Sequence, residues 1–212
     1  KNNNTPDMDK STHQKKIAII GHGYVGLPLA LKLSLNFNVV GFDVNSKRIH
    51  SLKLGIDSTK EVDEKKLKQA LKSNLLLSSK EDSIKDCEIF IITVPTPVKK
   101  ENKPDLTFLE GACNTVGKIM RKNSIVVFES TVYPGVTEDF CGKILEKRSG
   151  LLNEIDFFLA YSPERVNPGD KVHTIDKITK VISANNRGTL KILKKISGSI
   201  TKGNIFEAES IK

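Results

Sequence analysis

Apolar residues in this chain fall into short, nearly unbroken runs, separated by longer stretches in which they recur every three or four positions. The runs are Lys16-Ile17-Ala18-Ile19-Ile20, Asn38-Val39-Val40-Gly41-Phe42, Leu75-Leu76-Leu77, Glu88-Ile89-Phe90-Ile91-Ile92-Thr93, 124–129, Phe157-Phe158-Leu159-Ala160, Lys180-Val181-Ile182 and 203–206. Their length and β-branched content predict strands covered on both faces. Between them the spacing predicts helices over 24–35, 45–54, 61–71, 136–147 and about 186–196, and one from Asp105, as N-cap, to about Met120. Pro28 falls inside the first helix, where its ring would crowd the carbonyl of Tyr24. Strands that alternate with helices predict a doubly wound α/β fold, a mostly parallel sheet with helices on both faces. Residues 1–15 are polar and read as a disordered tail; residues 16–212 read as one domain without an internal linker or repeat.

The first strand runs straight into Gly21-His22-Gly23-Tyr24-Val25-Gly26. This is the G-x-G-x-x-G pattern, in the strand–turn–helix context its mechanism requires. Gly21 permits a tight turn, Gly23 lets a pyrophosphate approach bare backbone, and Gly26 lets the helix pack closely on the strand. Tyr24 and Val25 complete the cofactor-binding loop, whose free N–H groups and helix dipole would meet the phosphate charge. His22 and Tyr24 are expected to point away from the loop, with no chemistry assigned to either side chain. At the end of the second strand stands Asp43, 22 residues after Gly21. A carboxylate there accepts hydrogen bonds from ribose hydroxyls and repels a 2′-phosphate, by about 4 kcal/mol at ~4 Å in a surface environment, which favours NAD over NADP. Arg48 follows, and its cation would either soften that preference or lie over the adenine. The fold is therefore expected to be Rossmann-like, with NAD as cofactor.

Composition changes this picture little. The 38% hydrophobic and 28% charged content fits a globular domain, and no apolar run approaches the ~20 residues of a membrane span. The net charge of +9 raises nucleic acid as a partner. Only five of the 34 basic side chains are arginine, there is no Trp, and the lysines are scattered, so no nucleic acid and no membrane partner is expected. Cys87, Cys113 and Cys141 form no metal-binding spacing and read as small core residues; a reduced, cytoplasmic protein is expected.

Five ordered segments carry a resemblance: 17–30 around the glycine loop, Gly41-Phe42-Asp43-Val44-Asn45, Thr93-Val94-Pro95-Thr96-Pro97, the stretch 129–138 that begins Glu129-Ser130-Thr131, and Tyr161-Ser162-Pro163-Glu164-Arg165-Val166-Asn167-Pro168-Gly169-Asp170-Lys171. Together they resemble the NAD-binding domain of the UDP-glucose/GDP-mannose dehydrogenases. The last segment is most similar to the branch acting on UDP-N-acetylhexosamines, as in Vi-antigen-type polysaccharide synthesis. The resemblance implies oxidation of the C6 alcohol of a UDP-sugar, with UDP-N-acetylglucosamine or UDP-N-acetylgalactosamine as the expected substrate, through aldehyde and cysteine thioester to the uronic acid with two NAD. It also implies Val94 and Thr96 at the adenine, ribose or phosphate, Ser130 at the cofactor, Thr131 as a catalytic residue binding water or the C6 oxygen, and Glu164 as a catalytic carboxylate working with water. Arg165 would be an ion-pair partner or a substrate contact, and His173 a solvated loop residue.

The family's nucleophile, a cysteine in a Gly-rich loop followed by Pro-Lys-Asp, has no counterpart in this sequence. The central helix, substrate domain and nucleophile are expected outside it, and a homodimer is expected only of the full-length enzyme. Two alternatives stay open on sequence: a dehydrogenase of the β-hydroxyacid type, and a non-catalytic dinucleotide-binding module.

Overall fold

The computed structural model describes residues 15–99, 103–130, 132, 135–164, 179–208 and 211. In chain order its elements are β1 (Lys16–Ile20), α1 (Gly26–Leu33), β2 (Asn38–Phe42), α2 (Ser46–Lys53), α3 (Glu64–Leu71), β3 (Leu75–Ser78), a 3-10 turn (Glu81–Ile84) and β4 (Ile89–Ile92). Then come α4 (Thr107–Ile119), β5 (Ile125–Phe128), a wide π-type helical turn (Val136–Gly142), α5 (Lys143–Ser149), β6 (Phe158–Tyr161), β7 (Lys180–Ala184), α6 (Arg187–Ile200) and β8 (Ile205–Glu207). The sheet runs β3-β2-β1-β4-β5-β6-β7-β8. All neighbours pair parallel except β6 and β7, which are antiparallel.

Period-two alternation divides each central strand between two cores. Ile17, Ile19, Ile89, Ile91, Ile125 and Val127 face the layer of α1, α2, α3 and α6. Ala18, Ile20, Phe90, Ile92, Val126 and Phe128 face the layer of α4 and α5. With helices on both sides, the central strands have no wet face, which is why they read as continuous apolar runs.

α1, α2 and α3 are shorter than their apolar patterns, α6 runs on to Ile200, and side-chain caps set the starts of α2 and α3. The Asn45 side chain accepts the Arg48 N–H and starts α2; the Asp63 side chain accepts the Lys66 N–H and starts α3. Asp105 does not itself cap α4: its carboxylate accepts the Thr107 N–H at 3.0 Å, and the helix starts at Thr107. Pro28 causes no kink. The first helix begins at Gly26 rather than at residue 24, so Pro28 sits in the opening turn, where an N–H is dispensable.

The topological switch lies between β1 and β4, where the chain departs from β1 to opposite sides. In such sheets the crevice beyond the strand carboxyl ends holds ligands. Gly21, Asp43, Thr93, Glu129 and Ser162 all follow the last residue of a parallel strand and so converge on this edge.

Candidate nucleotide-binding site

The β1–α1 turn is closed by contacts that only glycine permits. Gly21 has φ +96° and donates its N–H to the Phe42 carbonyl at 2.8 Å. A Cβ on Gly26 would stand 1.8 Å from the Gly21 carbonyl oxygen and 2.5 Å from Thr93 Oγ1. Thr93, buried at the end of β4, places that hydroxyl 2.9 Å from the Ile20 carbonyl and 2.8 Å from that of Gly21, so it ties the turn to the neighbouring strand. Gly23 differs: a Cβ there meets nothing within 4 Å. Its backbone faces open space beside the start of α1, a helix with no side-chain cap and no acidic residue in its first turn. Unsatisfied N–H groups and the positive dipole end therefore remain available to an anion. Tyr24 is exposed at the mouth of this space and Val25 is half-buried at the helix cap.

Asp43 stands beside the turn with its carboxylate already oriented. Oδ2 accepts the His22 N–H and Oδ1 the Asn45 N–H, each at 2.8 Å. A carboxylate oxygen accepts more than one hydrogen bond, so both retain capacity for ribose hydroxyls.

His22 does not point away from the loop as expected. It is 1% exposed and folds against β2, where a Cβ on Gly41 would lie 2.3 Å from its Nε2. Neither ring nitrogen has a partner of good hydrogen-bond geometry. Burial lowers its pKa to about 4, against a smaller opposing pull from Asp43.

The Arg48 guanidinium is already engaged by the protein itself, with partners the sequence did not indicate. Nε donates to the His22 carbonyl at 3.0 Å, Nη1 to Ser58 Oγ at 3.0 Å, and Nη2 to Asp57 Oδ1 at 2.7 Å. The two side chains of that ion pair are 10% and 4% exposed. Asp57 in turn accepts N–H groups of Thr59, Glu61 and Val62 and the Thr59 hydroxyl. Burial alone would raise the Asp57 pKa, but the bonds from Thr59 and Arg48 outweigh it and hold it below the usual value.

Further along the edge, Ser130 Oγ donates to the Val94 carbonyl at 2.5 Å, which joins the ends of β4 and β5. Val94 and Thr96 are half-buried on that rim. Thr131, Arg165 and His173 lie outside the described residues. Glu164 is brought to the same edge, but with partners the sequence did not indicate. Its N–H donates to the Glu129 carbonyl at 3.1 Å, and Lys180 Nζ bridges Glu129 Oε2 at 2.5 Å and Glu164 Oε2 at 3.2 Å. Side-chain exposure is 4% for Lys180, 3% for Glu129 and 7% for Glu164. Desolvation raises the Glu129 pKa, helped by the Glu164 charge and opposed by Lys180. Lys180 is held above its ordinary value despite its burial, because two carboxylates face it. One cation between two carboxylates makes a place where a proton can reside beside Glu164. The one signal available was a glutamate ending an otherwise apolar strand.

The three cysteines are buried, as read from sequence. Burial pushes the Cys87 thiol up to about 12, far from nucleophilic readiness. Among the described residues no group of His, Cys, Asp and Glu could hold a metal, and no helix is long and apolar enough to cross a membrane.

Comparison with known proteins agrees with this geometry. The model of the UDP-glucose/GDP-mannose dehydrogenase family, NAD binding domain, matches residues 15–200. Protein CapL of Staphylococcus aureus is 48% identical over 198 residues, covering 93% of this chain and 46% of the relative. The UDP-N-acetyl-D-glucosamine 6-dehydrogenase of Pseudomonas aeruginosa is 46% identical over 197 residues, with the same coverage. Among solved structures, the UDP-D-ManNAc dehydrogenase of Pyrococcus horikoshii superposes with a TM-score of 0.84 at 32% identity, over 92% of this chain and 47% of that one. The chain thus spans about half the length of the curated relatives it matches. From the glycine turn to the segment ending at Glu164, fold, site and sequence agree: the chain belongs to the UDP-glucose/GDP-mannose dehydrogenase family and carries its NAD-binding domain.

Proposed function

We propose that this chain is the cofactor-binding half of a nucleotide-sugar 6-dehydrogenase that oxidises the C6 alcohol of a UDP-N-acetylhexosamine to the uronic acid, for surface polysaccharide synthesis. The observation that carries the reading is the open space at Gly23, set between two glycines whose Cβ positions are filled and beside an oriented Asp43. That is the shape of a dinucleotide cradle: crowded where the chain must turn, empty where a pyrophosphate must approach. NAD, when bound, would supply the hydride acceptor.

The chain's own residues would do the rest of this half's work. The N–H groups at the start of α1 hold the pyrophosphate, and Asp43 holds the adenosine ribose. Val94, Thr96 and Ser130 shape the rim along which the cofactor lies, and Arg48 holds the glycine loop. Thr131 and Glu164 act on the substrate, with Glu164, beyond the end of β6, taking and returning a proton through water. The buried cysteines of this chain do not suit the thioester step, whose thiolate would come from a separate substrate domain. A cytoplasmic location and a homodimer of the complete enzyme accompany this reading. The names of the relatives favour the N-acetylhexosamine branch.

Calorimetric titration of the chain with NAD and NADP tests it. NAD is expected to bind more tightly, and Asp43→Ala to narrow the gap, chiefly through weaker NAD binding. Equal affinities in the unmodified chain would contradict the argument from Asp43.

A further inference from the structure

Resting on the NAD reading above, we propose that Asp57 is a specificity-determining residue: it disarms Arg48, a cation held close enough to Asp43 to accept the 2′-phosphate of NADP. The argument starts from a juxtaposition. The two backbone polar atoms of His22 are claimed by opposite charges, its N–H by Asp43 and its carbonyl by Arg48. The guanidinium is thus held within one residue's span of the carboxylate that faces the ribose. An arginine near that acid is the usual means by which such folds accommodate a 2′-phosphate. Left free, Arg48 would offset the repulsion that Asp43 exerts on that phosphate.

Asp57 prevents this in two ways. Its charge cancels that of Arg48 across a 2.7 Å bond between nearly buried side chains. Its loop also consumes the donors: Ser58 Oγ and Thr59 Oγ1 take guanidinium N–H bonds at 3.0 and 3.3 Å, and the His22 carbonyl takes another. The carboxylate is itself fixed by the backbone N–H groups of Thr59, Glu61 and Val62, so it does not swing aside when a phosphate arrives. Asp57→Asn removes the countercharge and sets an amide N–H₂ against those N–H donors, which loosens the loop and releases the guanidinium. A free Arg–phosphate contact changes affinity by about tenfold or more.

The experiment is calorimetric titration of the 212-residue chain with NAD and with NADP, in four forms: unmodified, Asp57→Asn, Arg48→Gln and the double variant. Asp57→Asn is expected to lower the NAD-to-NADP affinity ratio about tenfold, by a gain in NADP binding. Arg48→Gln alone is expected to change both affinities by the same factor, because its charge is already spent on Asp57. The double variant is expected to return the ratio to the unmodified value. A ratio unchanged in Asp57→Asn overturns the proposal and leaves Asp57 a structural clamp, with the NAD reading intact. A selective loss of NADP binding in Arg48→Gln also overturns it, and this arm decides the matter if Asp57→Asn does not fold. No measurable binding of either dinucleotide to the unmodified chain sinks the NAD reading itself and the proposal with it.

Discussion

Acidification from pH 8 to pH 5 is expected to weaken this fold through one side chain, His22. In the unfolded chain its imidazole titrates near 6.5, and in the folded chain burial lowers that to about 4. The unfolded state therefore binds the proton first as the pH falls. Stability is fully present above about 6.5 and is lost progressively down to about 4, the sign expected for a base whose folded pKa is depressed. The difference of about 2.5 units corresponds to about 3 kcal/mol in total, of which about 2 kcal/mol is lost by pH 5. Chemical denaturation of the unmodified chain and of His22→Leu, at pH 8 and pH 5, isolates this contribution, since the other titrating groups act alike in both. Leucine matches the volume and has no ring nitrogens to leave unpaired, so the variant should be at least as stable at pH 8 and should lose about 2 kcal/mol less on acidification. If both proteins lose the same stability between the two pH values, His22 is protonated freely in the folded state, and its burial against Gly41 is wrong.

Two alanine substitutions in the glycine turn should behave oppositely. Gly26→Ala drives a methyl into the Gly21 carbonyl and should destabilise the fold by about 1–3 kcal/mol or more, read as a fall in denaturation midpoint. Gly23→Ala meets no protein atom, so the melting temperature should hold while NAD affinity falls; a loss of stability there would refute the open space. Lys180→Met removes the cation between Glu129 and Glu164 and should cost about 3–5 kcal/mol at pH 8. That cost should shrink at pH 5, as a carboxylate whose folded pKa lies above its unfolded value gains stability on protonation; a cost independent of pH would rule out titration within the trio.

The sequence by itself determined the parts of this protein that are local. Unbroken apolar runs and period-3.6 patterns marked the order of strands and helices. The glycine spacing fixed the turn, because the φ of Gly21 and the contact of Gly26 with the Gly21 carbonyl exclude a Cβ wherever the chain makes this fold. Asp43 was legible because it closes the second strand at the required distance. What the tertiary structure alone decided is which distant charges meet. β7 runs antiparallel to β6, with Tyr161 opposite Ser183, so its first residue, Lys180, reaches the carboxyl edge beside Glu164. Run parallel, the same strand would bring Lys180 to the other edge. No periodicity records that direction, since a strand's apolar alternation is the same read either way. Likewise the pairing of Arg48 with Asp57 was not legible in the sequence, because Asp57 lies on a loop whose position depends on how α2 and α3 pack against the sheet. Short-range sterics are written in neighbouring residues; the pairing of buried charges is set by chain direction and packing, which a linear pattern does not carry.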